Sequence, residues 1–250
     1  MRLTVLGAGP AYSDRPGSTG AAYLLESGTS SLLLDLGQGS FPALASRLEP
    51  SRLDGIVISH LHPDHFIDLV SLRHYLVYQV TPSRRVRVLG PAGLAQRLDA
   101  LHAEPGFTAA GLDVIDLEPG VIRVEDFMVE AGLVTHTEES QSFGFRVARS
   151  GEGPGLVYSG DCGRADDLMA LIHEGDVLLS EVSFGPAPVT PGAQHLNSAT
   201  VGDLAARAGA HRVLLTHLQM GFDRDATVAA TAEAFHGPID LVDPGYETDI

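Results

Sequence analysis

The 250-residue sequence has a single cysteine, Cys162, no apolar run of membrane-spanning length, and half as many cationic as acidic residues. One cysteine excludes an internal disulfide framework and a cysteine-rich zinc site. No apolar run approaches the ~18 residues that a transmembrane helix needs. The start, Met1 to Gly7, has no extended apolar segment of the signal-peptide kind. A cytoplasmic protein is the default expectation. The 16 Lys and Arg residues stand against 32 Asp and Glu, a formal charge of −16. That deficit speaks against broad nucleic-acid binding, which draws on phosphate neutralisation by cationic side chains. It leaves a polyanionic substrate open, because bound divalent cations can reverse the local sign. With 44% hydrophobic and 19% charged residues and no long low-complexity tract, the chain reads as globular. Its length fits one large domain or two small ones, with a substantial core; a single domain over residues 1–250 is expected.

What is abundant is metal-ligating chemistry, concentrated in Asp54-Gly55-Ile56-Val57-Ile58-Ser59-His60-Leu61-His62-Pro63-Asp64-His65. Ile56 to Ile58 read as a buried strand between a glycine turn and a proline turn. Where it ends, three histidines and an aspartate follow within six residues. In extended chain, His60 and His62 share a face because the side-chain period is two. Asp64 and His65 follow Pro63, which redirects the backbone, so they can approach from another side. Imidazole suits zinc, iron, nickel and copper, and a carboxylate can bind a metal or take a proton from its water. This stretch reads as a metal site.

The same pattern, an apolar strand ending on a polar group, recurs along the chain. Ala131–Val134 runs into His136, Gly155–Tyr158 into Asp161, Val177–Leu179 into Glu181, and Arg212–Leu215 into His217. His195 stands ahead of a helical pattern from Ala199 to Ala208. Strands are also expected at Arg2–Leu6, Ala21–Glu26, Ser31–Asp35, Arg85–Leu89 and Ile239–Val242, the last followed by a short acidic tail. A turn is expected at Ser150-Gly151-Glu152-Gly153. Helices are expected near Ser40–Leu48, over Phe66–Val80, and from Pro91-Ala92-Gly93 to His102, with proline at the first helical position. Gly7-Ala8-Gly9 reads as a turn in preference to a phosphate cradle, since no helix follows. Asp35 ends a strand and can either cap the next helix or hold a neighbouring histidine. Each half begins with consecutive strands and continues with strands alternating with helices. That order suggests two sheets packed face to face with helices outside, an α/β (α+β) four-layer αββα sandwich.

If these strand ends share one edge of the sandwich, their groups converge. His60, His62 and His136 would make one site, and Asp64, His65 and His217 a second, with Asp161 offering an oxygen to each. Two metals about 3.5–4 Å apart can hold a hydroxide between them and polarise a phosphoryl or carbonyl oxygen. The remaining histidines, His74, His102, His173, His211 and His236, join no ligand-spaced cluster and read as surface or half-buried positions. Cys162 reads as a packing residue; Arg146, Tyr158 and Phe184 could line a pocket, but in β-rich segments such residues are more often packing residues.

Over nearly its full length the chain resembles the metallo-β-lactamase-fold superfamily. His60-Leu61-His62-Pro63-Asp64-His65 matches that family's H-x-H-x-D-H signature, and His136, Gly160-Asp161 and His217 fall in the order of its remaining ligands. The resemblance implies the αββα fold and a hydrolase with two divalent metal ions, usually Zn2+, with Mn2+ or Fe2+ as alternatives. A narrower likeness is to the ribonuclease Z branch and its phosphodiesterase relatives. It rests on Leu6-Gly7-Ala8-Gly9-Pro10, Leu34-Asp35-Leu36-Gly37-Gln38-Gly39, Glu181-Val182-Ser183-Phe184, His195-Leu196-Asn197-Ser198 and Leu215-Thr216-His217. In that branch the equivalents of Glu181 and His195 form a relay that protonates the leaving group; imidazolium oriented by a carboxylate can do this near neutral pH. Asp64, as a ligand of the second metal, is then not free to be the acid. Family likeness also suggests a homodimer.

One departure separates this chain from ribonuclease Z. The Gly/Pro-rich arm that grips tRNA is inserted between the equivalents of His136 and Asp161, and here that interval holds only a strand pair and a turn. The expected substrate is therefore a small or short-nucleotide phosphodiester, with tRNA 3′-end cleavage as the alternative. Lactone or thioester hydrolysis needs the same ligands without a leaving-group acid. A non-catalytic or redox metal protein would be expected to have lost ligands, and none of the seven is missing.

Overall fold

The central strands of the chain are apolar on both faces, and the layering explains why. The computed structural model describes residues 1–149, 153–190 and 192–250; Ser150, Gly151 and Glu152 of the expected turn lie outside them. In chain order the elements of the first half are β1 (Arg2–Gly7), β2 (Ala22–Ser27), β3 (Ser30–Leu34), α1 (Phe41–Arg47), β4 (Gly55–Val57), α2 (Pro63–Phe66), α3 (Leu69–Tyr78), β5 (Val86–Gly90), α4 (Leu94–His102) and β6 (Leu112–Asp116). The second half has β7 (Gly120–Val124), β8 (Phe127–Leu133), β9 (Phe143–Arg149), β10 (Leu156–Tyr158), β11 (Val177–Glu181), α5 (Ser198–Ala208), β12 (Arg212–Thr216), α6 (Arg224–Ala232), β13 (Ile239–Leu241) and β14 (Glu247–Asp249). Two seven-stranded sheets result, ordered β14-β1-β2-β3-β4-β5-β6 and β13-β12-β11-β10-β9-β8-β7.

Three apolar clusters fill the three spaces between four layers. Leu32 and Leu34 of β3 meet Phe145, Tyr158 and Leu179 between the sheets, while Leu33, with a period of two, turns outward onto the helices. That outer face packs against Leu44 of α1, Leu72 and Leu76 of α3, and Leu98 of α4. Val157 and Leu178 of the second sheet face outward onto Val201 and Leu204 of α5. A strand buried on both sides needs no polar alternation, hence the continuous apolar runs.

Strand direction gathers the site. β3 to β6 run parallel, as do β10 to β13. The carboxyl ends of β3, β4, β10, β11 and β12 therefore lie along one edge, where open α/β sheets place their binding crevices. The two sheets are tied together there: His217 N–H donates to Ala8 O (2.9 Å) and Phe143 N–H to Ser59 O (2.9 Å).

Three local expectations change. Pro91 does not open α4; it accepts a turn hydrogen bond from Leu94 N–H (3.2 Å), and the helix starts at Leu94 behind Gly93. The tail after β13 is not free, because β14 pairs antiparallel with β1. α6 was not anticipated; its cap, Asp223, accepts from Ala226 N–H (2.7 Å). The expected helix over Phe66–Val80 is present as α3, with α2 a separate single turn before it.

Candidate metal centre

Each candidate side chain sits just beyond a strand. His60 and His62 follow β4, and Asp64 and His65 lie in α2, whose start Pro63 is compatible with the first helical turn. The α2 turn is pressed onto the glycine loop after β3: a Cβ at Gly37 would stand 1.8 Å from Asp64 O. Asp161 follows Gly160, which holds φ +56° with Phe143 O 2.7 Å from any added Cβ, so only glycine fits. His217 directly follows β12 with φ 58°, a left-handed conformation uncommon outside glycine and found at functional sites.

The structure brings the seven expected ligands together in two groups. The ligand atoms of His60, His62, His136 and Asp161 all lie within 4.8 Å of one another, as do those of Asp64, His65 and His217. Asp161 faces both. Its Oδ2 is 3.7 Å from His60 Nε2 and 3.8 Å from His136 Nε2; its Oδ1 is 3.4 Å from His65 Nε2 and 3.6 Å from His217 Nε2. His60 Nε2 and Asp161 Oδ1 are buried without a hydrogen-bond partner. Buried polar atoms left unpaired are costly, and two that point into a ring of imidazoles and carboxylates fit a cation-binding centre.

Electrostatics agrees with that reading. Burial and the neighbouring His65 push His60 well below the ordinary imidazole range, and burial also lowers His62 and His136, so three rings are held neutral, the form that ligates. Burial alone would raise Asp161, but the imidazoles, His217 and His65 foremost, hold it well below the usual carboxylate range. Burial opposes charge on His65 too, yet Asp161 and Asp35 raise it well above normal.

Supporting hydrogen bonds fix the ring orientations. Asp35 does not cap α1; its Oδ2 accepts from His65 Nδ1–H (2.7 Å), Ser59 Oγ–H (2.7 Å) and Tyr158 Oη–H (2.7 Å), and its Oδ1 from Ser59 N–H (2.7 Å). His136 Nδ1–H donates to Gln194 O (2.8 Å). A held Nδ1–H leaves Nε2 free for an ion.

Beside the two groups, His195 Nδ1 lies 3.1 Å from Glu181 Oε1. A carboxylate only accepts, so Nδ1 donates and Nε2 is the ring atom left to exchange a proton. Cys162 N–H also donates to Glu181 Oε1 (2.8 Å). Burial disfavours the His195 imidazolium, but the Glu181 hydrogen bond and charge, with Asp161, more than offset it and push the group up to about 9. His195 is also within ligand reach of Asp161 and His217.

The other singled-out residues act through packing or distant ion pairs. Cys162 is buried among Leu168 and Val182, and its burial pushes the thiol up. Arg146 donates through Nε to Asp176 (2.7 Å), and Phe184 lies edge-on to His195 with ring centroids 5.7 Å apart. His74 and His102 pack against Phe107 on the far helices. Ser59 and Ser183 carry no role in the sequence reading, and the hydroxyl contact of Tyr158 with Asp35 is not among the roles expected for it; a hydroxyl beside a ligand in sequence is the signal that Ser59 offered. Two cavities flank the centre. One of about 480 Å³ reaches His217 and is lined by Arg15 and Ser18; another of about 790 Å³ reaches His136 and His195 and is lined by Thr135, Arg164 and Gln194. No helix among the described residues is long and apolar enough to cross a membrane.

Residues 29–218 match the family model for the β-lactamase superfamily domain. An uncharacterised protein of Mycobacterium leprae, ML1173, is 32% identical over 257 residues, covering 100% of this chain and 89% of the relative. The ribonuclease Z of Geobacillus kaustophilus is 25% identical over 289 residues, covering 94% and 93% of the two chains. The crystal structure of the metallo-β-lactamase fold protein YhfI from Bacillus subtilis superposes with a TM-score of 0.86 at 23% identity, covering 99% of both chains. A chain whose strand ends converge on this ligand set, and whose sequence matches that model over most of its length, belongs to the β-lactamase superfamily and carries the metallo-β-lactamase fold.

Proposed function

We propose that the chain is a metal-dependent hydrolase of a small or short-nucleotide phosphodiester. His60, His62, His136 and Asp161 would hold one divalent ion, and Asp64, His65 and His217, sharing Asp161, a second. Zinc is the ion that family likeness favours. Bound there, the ions supply Lewis acidity and an acidified water as the nucleophile. The chain's own residues do the rest. Asp161 presents one oxygen to each group, Asp35 and Gln194 orient His65 and His136, and Glu181 keeps the Nδ1 proton of His195 engaged. With that proton committed, Nε2 is the ring atom from which His195 would protonate the departing oxygen. The observation that carries the phosphodiester reading is the Glu181–His195 contact of 3.1 Å, because the alkoxide that leaves a phosphodiester needs an acid whereas the thiolate that leaves a thioester does not.

Transfer-RNA cleavage is the second reading, favoured by the ribonuclease Z among the relatives. Against it, the described residues between His136 and Asp161 are taken up by β9, β10 and their flanking turns, and the chain carries a charge of −16. The test is turnover of a chromogenic phosphodiester by chelated and reconstituted protein, beside an unprocessed tRNA precursor at modest salt. Metal-dependent diester turnover without tRNA cleavage supports the proposal. Two bound metals with no diester turnover overturns it.

A further inference from the structure

The geometry points to Ser183 as a positioning residue whose single hydroxyl fixes the ring of His217 toward the second ligand group and holds Glu181 for His195. Ser183 lies two residues beyond β11 and is fully buried. Its Oγ stands 2.5 Å from Glu181 Oε2, 3.0 Å from His217 Nδ1 and 3.2 Å from His195 Nδ1. A hydroxyl has one hydrogen to give and two lone pairs. Glu181 can only accept, so the hydrogen goes to its Oε2, where Ser183 N–H also donates (3.1 Å). The lone pairs then face the histidines, and the shorter contact receives the Nδ1–H of His217.

This assignment fixes a tautomer. With Nδ1 protonated, Nε2 of His217 is a bare acceptor, and it is the atom 3.3 Å from Asp64 Oδ2 and 3.4 Å from His65 Nε2. Among the described residues no other group accepts from His217 Nδ1, and the backbone there is in the left-handed region, so the ring's orientation rests on this contact. The same hydroxyl pins Oε2 of Glu181 and leaves Oε1 for His195. One atom thus joins a ligand to the acid pair. His65 is held instead by the Asp35 carboxylate and His136 by a backbone carbonyl, neither of which contacts Glu181.

The His195 half of the inference rests on the proposed phosphodiester reading; the His217 half does not. The direct test is long-range 1H–15N NMR of the histidine rings in metal-free wild-type protein, with zinc titration of Ser183→Ala and Ser183→Thr. The expected result is His217 as the Nδ1–H tautomer. Ser183→Ala then loses about 10- to 100-fold in affinity for the second zinc, the usual cost of removing a ligand's hydrogen-bond partner. Ser183→Thr, which keeps the hydroxyl, restores it. His217 as the Nε2–H tautomer in the wild type overturns the inference whether or not the variants fold, and so does undiminished second-zinc affinity in Ser183→Ala. Diester turnover by the wild-type zinc protein is measured in parallel; its absence would sink the phosphodiester reading and leave the tautomer result standing.

Discussion

The two ligand groups share Asp161 and differ in almost everything else. The group of His60, His62 and His136 is made of neutral rings, one of them half-exposed, and its His136 is held by a backbone carbonyl. The group of Asp64, His65 and His217 is fully buried, contains a carboxylate, and leans on Asp35, Tyr158 and Ser183. If each group takes a divalent ion as proposed, the greater negative charge and buried support around the second predict that its ion would be held more tightly and exchange more slowly. The half-exposed side opens instead toward the cavity at His136 and His195, where a leaving group would be protonated.

Breaking the shared residue should erase the difference. Asp161→Ala is expected to leave fewer than two metals per chain and to cost at least about 10³-fold in turnover, since two-metal charge stabilisation is worth several kcal/mol. Metal analysis beside steady-state kinetics checks it. Asp35→Asn should separate the groups: the amide suits the left-handed backbone (φ 58°) but no longer charge-balances His65. Metal affinity of the second group should fall about 10- to 100-fold while the first keeps its ion, as read by calorimetric titration. An equal loss from both groups would mean that they do not act as separate sites.

Glu181→Gln should give the smallest change and act on pH dependence. An acid works only while protonated, so kcat falls as pH rises through the His195 pKa, pushed up to about 9 by Glu181 and Asp161. Neighbouring cations lower that value. Removing the Glu181 charge disfavours the imidazolium further, so the alkaline fall should move to lower pH. A pH–kcat profile unchanged between wild type and variant counts against the pair.

The parts legible in the sequence were those set by local rules. Apolar runs ending on His60, His136, Asp161, Glu181 and His217 marked strand ends, and two-sided burial made those runs continuous. What local rules could not supply were partners distant in sequence. β14 is a strand only because β1 offers it an edge, and its acidic residues carry no strand signal of their own. Tyr158 looks like packing because its ring is packed; its hydroxyl matters only because Asp35 stands 2.7 Å away across the sheets. Ser183 is one serine among many until β11 and β12 place it between Glu181 and His217.

The central claim, an acid at His195 serving a diester-hydrolysing metal pair, is tested most directly by leaving-group dependence. Zinc-loaded wild-type protein and His195→Ala would be compared on phosphodiesters whose leaving groups range from p-nitrophenolate to a simple alkoxide. The loss should be small for p-nitrophenolate, which leaves without a proton, and reach about 10²- to 10⁴-fold for the alkoxide. A loss of equal size across the series, with both metals still bound, would contradict it.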